Sequence, residues 1–165
     1  MLGYSDSTYL RLAYYASLNS DDGSTKNGAV IVGSAGAVIG TGYNSCIRNL
    51  ENKEERLAKN KYYYYVHAEE DAICRAACNQ CDLNGSTMFA LWAACAACAR
   101  LIALVGITRV VTIDPRKYFN NRWLESIEAG NAILKANNVE VHYVDLDHLP
   151  AELKTLTVNG INIRG

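Results

Sequence analysis

Apolar positions in the first 19 residues recur at helical spacing. Tyr9, Leu12, Ala13 and Ala16 share one face, with Ser and Asp residues available as caps, and predict a helix over residues 5–19. The polar run "NSDDGSTKNG" is turn chemistry. "AVIVGSAGAVIGTGYN" then reads as two short strands around a turn at residues 33–36. From 45 to 61 the chain becomes charged ("NLENKEERLAKNK"), the pattern of a solvated loop or short surface helix, although a connection this long is often functional. A helical run follows from 67 to about 80. "STMFALW", "CAACARLIALVG", "ITRVVTID", "NRWLESIEAGNAILKANN" and "VEVHYVDL" read in turn as strand, helix, strand, helix and strand. The order α-β-β-α-β-α-β-α-β, with crossovers of about a dozen residues, predicts an α/β fold whose later strands are parallel. No repeat or linker divides it. A single domain over residues 1–165 is expected, with 146–165 a weakly patterned C-terminal extension packed on the body or on a neighbouring subunit.

Composition narrows the possible partners. The 165 residues are half apolar and one-fifth charged, enough for one substantial core. The formal net charge is −1, which argues against a protein that grips long nucleic acid through a basic stripe and favours a small substrate. The N-terminal residues show no secretory signal, and no apolar run approaches the roughly 20 residues of a membrane helix. The six cysteines are therefore expected to stay reduced in a cytoplasmic protein, where metal binding or burial outranks disulfides.

The chemistry concentrates between Tyr62 and Cys98. "YYYYVHAEEDAICRAACNQC" holds His67, an acidic cluster and three cysteines, and "WAACAAC" adds Cys95 and Cys98. A site made of His67, Cys78 and Cys81 fails on length. Eleven residues of helix span roughly 16 Å, whereas two ligands of one zinc ion lie about 4 Å apart. Cys74, Cys78 and Cys81 have a spacing that invites an iron–sulfur reading. On a helix with alanines between the thiols they read instead as small core hydrophobes. The remaining arrangement joins His67 at the start of one helix to Cys95 and Cys98 at the start of the next. Helices that follow neighbouring parallel strands bring their N-termini together, and a helix start favours ionised thiols. Three ligands leave the fourth tetrahedral position open, as a catalytic zinc requires. Glu69 lies close enough to face that position without binding the metal. The tyrosines of 62–65 are expected to pack as a segment entering the site, with alternation burying two rings and exposing two.

"HAEEDAI" and "AACAACA" resemble the H-[AC]-E and P-C-x-x-C motifs of the zinc-dependent cytidine deaminase superfamily. Within it, "TKNGAVIV", "GTGYNS", "KYYYYVHAEEDAI" and "ARLIALVGITRVV" are most similar to the deoxycytidylate deaminase family, over about residues 5–144. The resemblance implies a three-layer α-β-α domain with a mixed, about five-stranded central sheet. It implies Zn²⁺ on His67, Cys95 and Cys98, and hydrolytic deamination of dCMP to dUMP. Glu69 then moves protons between the attacking water, the ring nitrogen and the departing amine. Ala68 and Cys95 are expected to hold the pyrimidine edge through their backbones. Asn44 is expected at the sugar and Tyr118 near the phosphate, with Lys26, Asn27, Arg116 and Lys117 available for nucleotide or effector contacts. A homo-oligomer, favoured as a hexamer, activated by dCTP and inhibited by dTTP with Mg²⁺ on the triphosphate, is implied in the same way. The alternatives are a deaminase of a free nucleoside, base or tRNA adenosine, and a non-catalytic zinc-containing nucleotide-binding regulator. Three positions depart from the family pattern. Ala94 replaces a proline expected at the first helical position, which should loosen the thiolate pair. Asp71 replaces an asparagine, and "GYNSCIRN" lacks the usual continuation after Asn44.

Overall fold

The computed structural model of the chain describes residues 4–114, 116, 121–145, 151, 153, 157–158 and 161–162. A central five-stranded sheet has the order β2-β1-β5-β6-β7, built from β1 (Gly28–Val32), β2 (Val38–Tyr43), β5 (Thr87–Trp92), β6 (Arg109–Ile113) and β7 (Glu140–Val144). β1 runs antiparallel to both β2 and β5, and β5, β6 and β7 are mutually parallel. The parallel half agrees with the sequence pattern, and the mixed five-stranded sheet with what the family resemblance implies. The turn joining β1 to β2 places Gly36 at φ 82°, where a side chain would be strained, and closes with Gly36 N–H donating to the Gly33 carbonyl.

Side-chain alternation divides the core into two layers. Ala29 and Ile31 of β1 and Met88 and Ala90 of β5 point to one face. That face is covered by α3 (Ala68–Cys78), α4 (Ala96–Leu104) and α5 (Asn121–Ala136). Val30, Val32, Phe89 and Leu91 point to the other, under α1 (Tyr4–Ser17) with Leu10 and Ala13. Leu153 is fully buried in this second layer. Full burial of one such leucine contributes about 1.5–3 kcal/mol. The tail also holds a short antiparallel pair, β8 (Thr157–Val158) with β9 (Ile161–Asn162).

The charged insert forms α2 (Lys53–Asn60), with no buried residue, and a 3₁₀ turn over Lys61–Tyr63. Its ends are tied by a ladder absent from the sequence reading, β3 (Ser45–Cys46) against β4 (Tyr65–Val66). That pairing fixes the chain after Asn44, where the usual continuation is missing. The tyrosines do not alternate as expected. The 3₁₀ turn leaves Tyr63 81% exposed, and neither Tyr64 nor Tyr65 is fully buried.

The expectation for Cys74, Cys78 and Cys81 is corrected. α3 buries Ala68, Glu69, Ala72, Ile73 and Ala76, a stripe at helical spacing. Cys74 and Cys78 occupy the opposite, exposed face, and Cys81 beyond the helix is half-buried. The inner face can hold only small groups because β2 lies against it. A Cβ on Gly42 would sit 2.3 Å from the Ala72 nitrogen and 2.4 Å from the Ala68 carbonyl oxygen. Glycine at 42 thus lets the backbone of α3 touch the sheet.

Candidate active site

Two helix starts meet above the sheet. His67 is the N-cap of α3, with φ −79° and ψ 156°, and its backbone N–H donates to the Glu70 carboxylate at 3.2 Å. Tyr43 N–H donates to Asp71 at 3.2 Å, and Arg75 pairs with Asp71 at 2.9 Å, so the carboxylate at the usual asparagine position ties α3 to β2. Cys95 is the N-cap of α4, and Cys98 is the third residue of that helix. β5 carries a bulge between Ala90 and Trp92, just before the chain leaves for this turn. The start of α4 also corrects the reading of Ala94. It lies one residue before the N-cap, so a proline there would shape the turn entering the helix, not its first position.

His67 Nδ1 lies 3.5 Å from Cys95 Sγ and 3.5 Å from Cys98 Sγ. Zn–N and Zn–S bonds of about 2.0–2.1 and 2.3 Å at tetrahedral angles separate N and S by about 3.6 Å. The three donors therefore fit a zinc ion and leave a fourth position open. Among the described residues this is the one group of three His, Cys, Asp or Glu side chains whose ligand atoms all lie within 4.8 Å of one another. Both thiols are buried. Cys78 and Cys81 are not part of this group.

Proton affinities in the metal-free chain reflect the crowding. Cys95 is drawn down to about 4, chiefly by the hydrogen bond from the Cys98 thiol, and also by His67. Cys98 is pushed up for the matching reason, its hydrogen bond to Cys95, with burial adding to it. His67 is raised to about 9 by its hydrogen bond to Cys95, against the opposing effect of burial. These directions favour a thiolate on Cys95 beside a protonated His67 in the metal-free chain.

Glu69, the second residue of α3, is 2% exposed. Burial first, with the Cys95 and Glu70 charges adding and His67 opposing, raises its carboxyl to about 7. Its Oε2 accepts from Asn27 Nδ2 at 3.4 Å. The cavity in front of Glu69 and His67 is also walled by Asp22, Lys61, Trp92 and Trp123.

The remaining expected positions divide. Ala68 is fully buried at the first position of α3, beside the cluster. Asn44 lines the cavity, but its amide already bonds within the protein. Oδ1 accepts the Asn27 N–H at 2.7 Å, and Nδ2 donates to the Thr25 carbonyl at 2.8 Å and to Asp22 at 3.5 Å. Asn27 lines the same cavity. Lys26 turns its ammonium to the Ser20 carbonyl at 2.9 Å, while its own carbonyl accepts the Trp92 indole N–H at 3.2 Å. Arg116 is exposed and paired with Asp114. Lys117 and Tyr118 lie outside the described residues.

Sequence reasoning missed Asp22, Lys61 and Trp123. The Lys61 ammonium donates to both Asp22 oxygens, at 3.0 and 2.9 Å, and to Ser24 Oγ at 3.0 Å. Burial would raise the Asp22 carboxyl, but Lys61 and the Ser24 N–H outweigh it and hold it below the usual range. Asp22 looked like turn chemistry and Lys61 like the end of a charged insert. Only their 39-residue separation closing into an ion pair reveals the hub. Trp123, from α5, places its ring 6.1 Å from the His67 ring and 5.7 Å from that of Tyr62.

A sequence profile for the cytidine and deoxycytidylate deaminase zinc-binding region matches residues 4–114, which include the whole His67–Cys95–Cys98 group. The deoxycytidylate deaminase of Pongo abelii is 31% identical over 133 residues, spanning 76% of this chain and 70% of that protein. The one from Homo sapiens is 30% identical over 142 residues, spanning 82% and 75%. The dCMP deaminase of the cyanophage S-TIM5, in its complex with dCMP and dUMP, has the same fold, with a TM-score of 0.68 at 22% identity. That match covers 87% of this chain and 99% of the phage chain. The profile and the relatives agree with the geometry, and the chain belongs to the cytidine and deoxycytidylate deaminase family.

Proposed function

We propose that this chain is a zinc-dependent hydrolase that converts dCMP and water to dUMP and ammonia. The observation that carries it is the tetrahedral spacing of His67 Nδ1 and the two thiols, 3.5 Å each, beside a buried carboxyl. The pyrimidine nucleotide follows from the relatives. The primate proteins are deoxycytidylate deaminases, and the phage enzyme was solved with dCMP and dUMP.

When bound, zinc supplies the Lewis acidity that brings the pKa of water to about 7. Glu69 handles the protons. Its carboxyl, raised to about 7 in the metal-free chain, is drawn back down by a neighbouring dication, so it is ready to accept a proton at neutral pH. It takes the proton of the attacking water, delivers it to the ring nitrogen next to the amine-bearing carbon, and later helps the amine leave as ammonia. Asn27 Nδ2 holds Oε2 in place for that transfer. Ala68 and Cys95, at helix starts where backbone N–H groups lack helical partners, hold the edge of the base. Asn44 has both Nδ2 hydrogens committed, so it meets a sugar hydroxyl through the free lone pair of Oδ1.

The finer reading rests on resemblance. Tyr118 serves the phosphate, and Lys26, Arg116 and Lys117 serve the nucleotide or a triphosphate effector carrying Mg²⁺. The enzyme is a cytoplasmic homo-oligomer, favoured as a hexamer, activated by dCTP and inhibited by dTTP. Residues 1–165 make one catalytic domain, with 146–165 its C-terminal extension. No helix among the described residues is long and apolar enough to cross a membrane.

Incubating the purified, zinc-loaded protein with dCMP and following dUMP and ammonia tests the reading. Stoichiometric release of both products is expected; dCMP left intact by protein that holds zinc overturns it. Deoxycytidine and a tRNA stem-loop assayed alongside establish the substrate, and dCTP and dTTP added in turn test the regulation.

A further inference from the structure

The turn that presents Cys95 and Cys98 has a structural problem. Cys95 occupies the N-cap of α4, where Ser, Thr, Asp or Asn would ordinarily accept a backbone N–H from the first turn. Its thiol is turned to His67 and, being sulfur, offers the Cys98 N–H a weaker acceptor than such an oxygen would. The residue before it is Ala94, where the deaminase motif P-C-x-x-C carries a proline that stiffens the turn. Neither a side-chain oxygen at the cap nor a proline before it holds this backbone.

α5 supplies what is missing. The N–H of Ala96, the first residue of α4, donates to Ser126 Oγ at 3.2 Å. One turn along the same face, Gly130 is buried, and a Cβ there would fall 2.6 Å from the Ala94 carbonyl oxygen and 3.3 Å from that of Cys95. α5 therefore rests directly on the backbone entering the cap. Trp123, three residues before Ser126, lies beside the His67 ring from the same helix.

We propose that Ser126 and Gly130 position the metal-binding turn, replacing across the α4–α5 contact the restraint that proline supplies within the chain. This rests on the zinc reading of the site. Ser126 bonds the backbone of Ala96 and acts through it on Cys95, as outer partners of metal ligands commonly do.

The test compares wild type with Ser126→Ala, Ser126→Thr, Gly130→Ala, and Ser126→Ala combined with Ala94→Pro. Zinc affinity is read by competition with a chromophoric chelator, and the geometry of the thiolate pair by the charge-transfer absorption of the Co²⁺-substituted protein. Ser126→Ala should weaken zinc binding about 10-fold and shift the cobalt bands. Ser126→Thr should retain both, and Ala94→Pro should recover affinity in the Ser126→Ala background. Gly130→Ala should also weaken zinc. A Ser126→Ala protein with wild-type zinc affinity and an unchanged cobalt spectrum overturns the proposal, even if its melting temperature falls. A wild-type protein that takes up no zinc would instead overturn the metal reading itself.

Discussion

Two sets of cysteines sit within 25 residues of one another and meet different fates. Cys95 and Cys98 open α4, buried, with His67 of the neighbouring helix start 3.5 Å away. Cys74 and Cys78 lie well inside α3, on the face turned away from the sheet, and Cys81 follows its end. At a helix start the backbone N–H groups and the dipole favour a thiolate. There Cys95 is lowered, while Cys98 is raised by its bond to Cys95; the flank of α3 offers no such helix start. Partial desolvation, together with the neighbouring Glu70, Cys78 and Asp71, raises the Cys74 thiol above its ordinary value. The residue type is the same; place along the helix and the neighbours it meets decide whether it becomes a ligand.

Replacing one member of each set gives the largest contrast. Cys95→Ser or Cys98→Ser should lower zinc from about one ion per chain to near zero by elemental analysis, and abolish turnover. Cys78→Ser and Cys81→Ser should leave both intact. Retained zinc in the first pair, or lost zinc in the second, would erase the distinction.

Glu69→Gln separates holding the metal from using it. Zinc content should stay at the wild-type level while dCMP turnover falls by roughly 10²–10⁴-fold. Unchanged turnover would remove Glu69 from the chemistry.

Zinc binding should also depend on pH, through the first set with His67 and through the Glu69 carboxyl beside them. In the metal-free chain at pH 7, His67 (about 9) and the raised Cys98 are protonated, while Cys95 (about 4) is ionised. Zinc requires all three without their protons and lowers Glu69 (about 7 without metal), so binding should release about two protons from the ligands and a further fraction from Glu69, and apparent affinity should rise as pH increases toward 9. Calorimetry in buffers of different ionisation enthalpy counts those protons. A count near zero would contradict the assigned ligands.

The smallest effect is expected on the exposed face of α3. Cys74→Ser and Cys78→Ser should change stability by no more than about 0.5 kcal/mol in denaturant titrations. A loss of several kcal/mol would mean that this face is covered.

Much of this was legible along the chain. Element order follows from periodicity, because buried faces repeat every two residues in strands and every 3.6 in helices. The rejection of Cys78 as a partner of His67 needed only the rise of a helix. The burial of Cys74 and Cys78 could not be read in the same way. Alanine and cysteine share the α3 pattern, and apolarity alone does not say which stripe turns inward. The contact at Gly42 makes that choice, since only the alanine face lets the helix backbone reach β2. Asp22 and Lys61 escaped notice for another reason: each looks like ordinary solvated polarity until the chain closes 39 residues between them.

By itself, the sequence determined the α/β order, the set of candidate ligands and the carboxylate beside them, because these depend on residue type and local spacing. The tertiary structure decided the rest. Two helix starts set the 3.5 Å spacing of the donors, β3 and β4 closed the charged insert, and α5 laid Ser126 and Gly130 against a turn that lacks its proline. Those outcomes come from packing between segments distant in sequence, where backbone contact and closed hydrogen bonds, not propensity, select the arrangement.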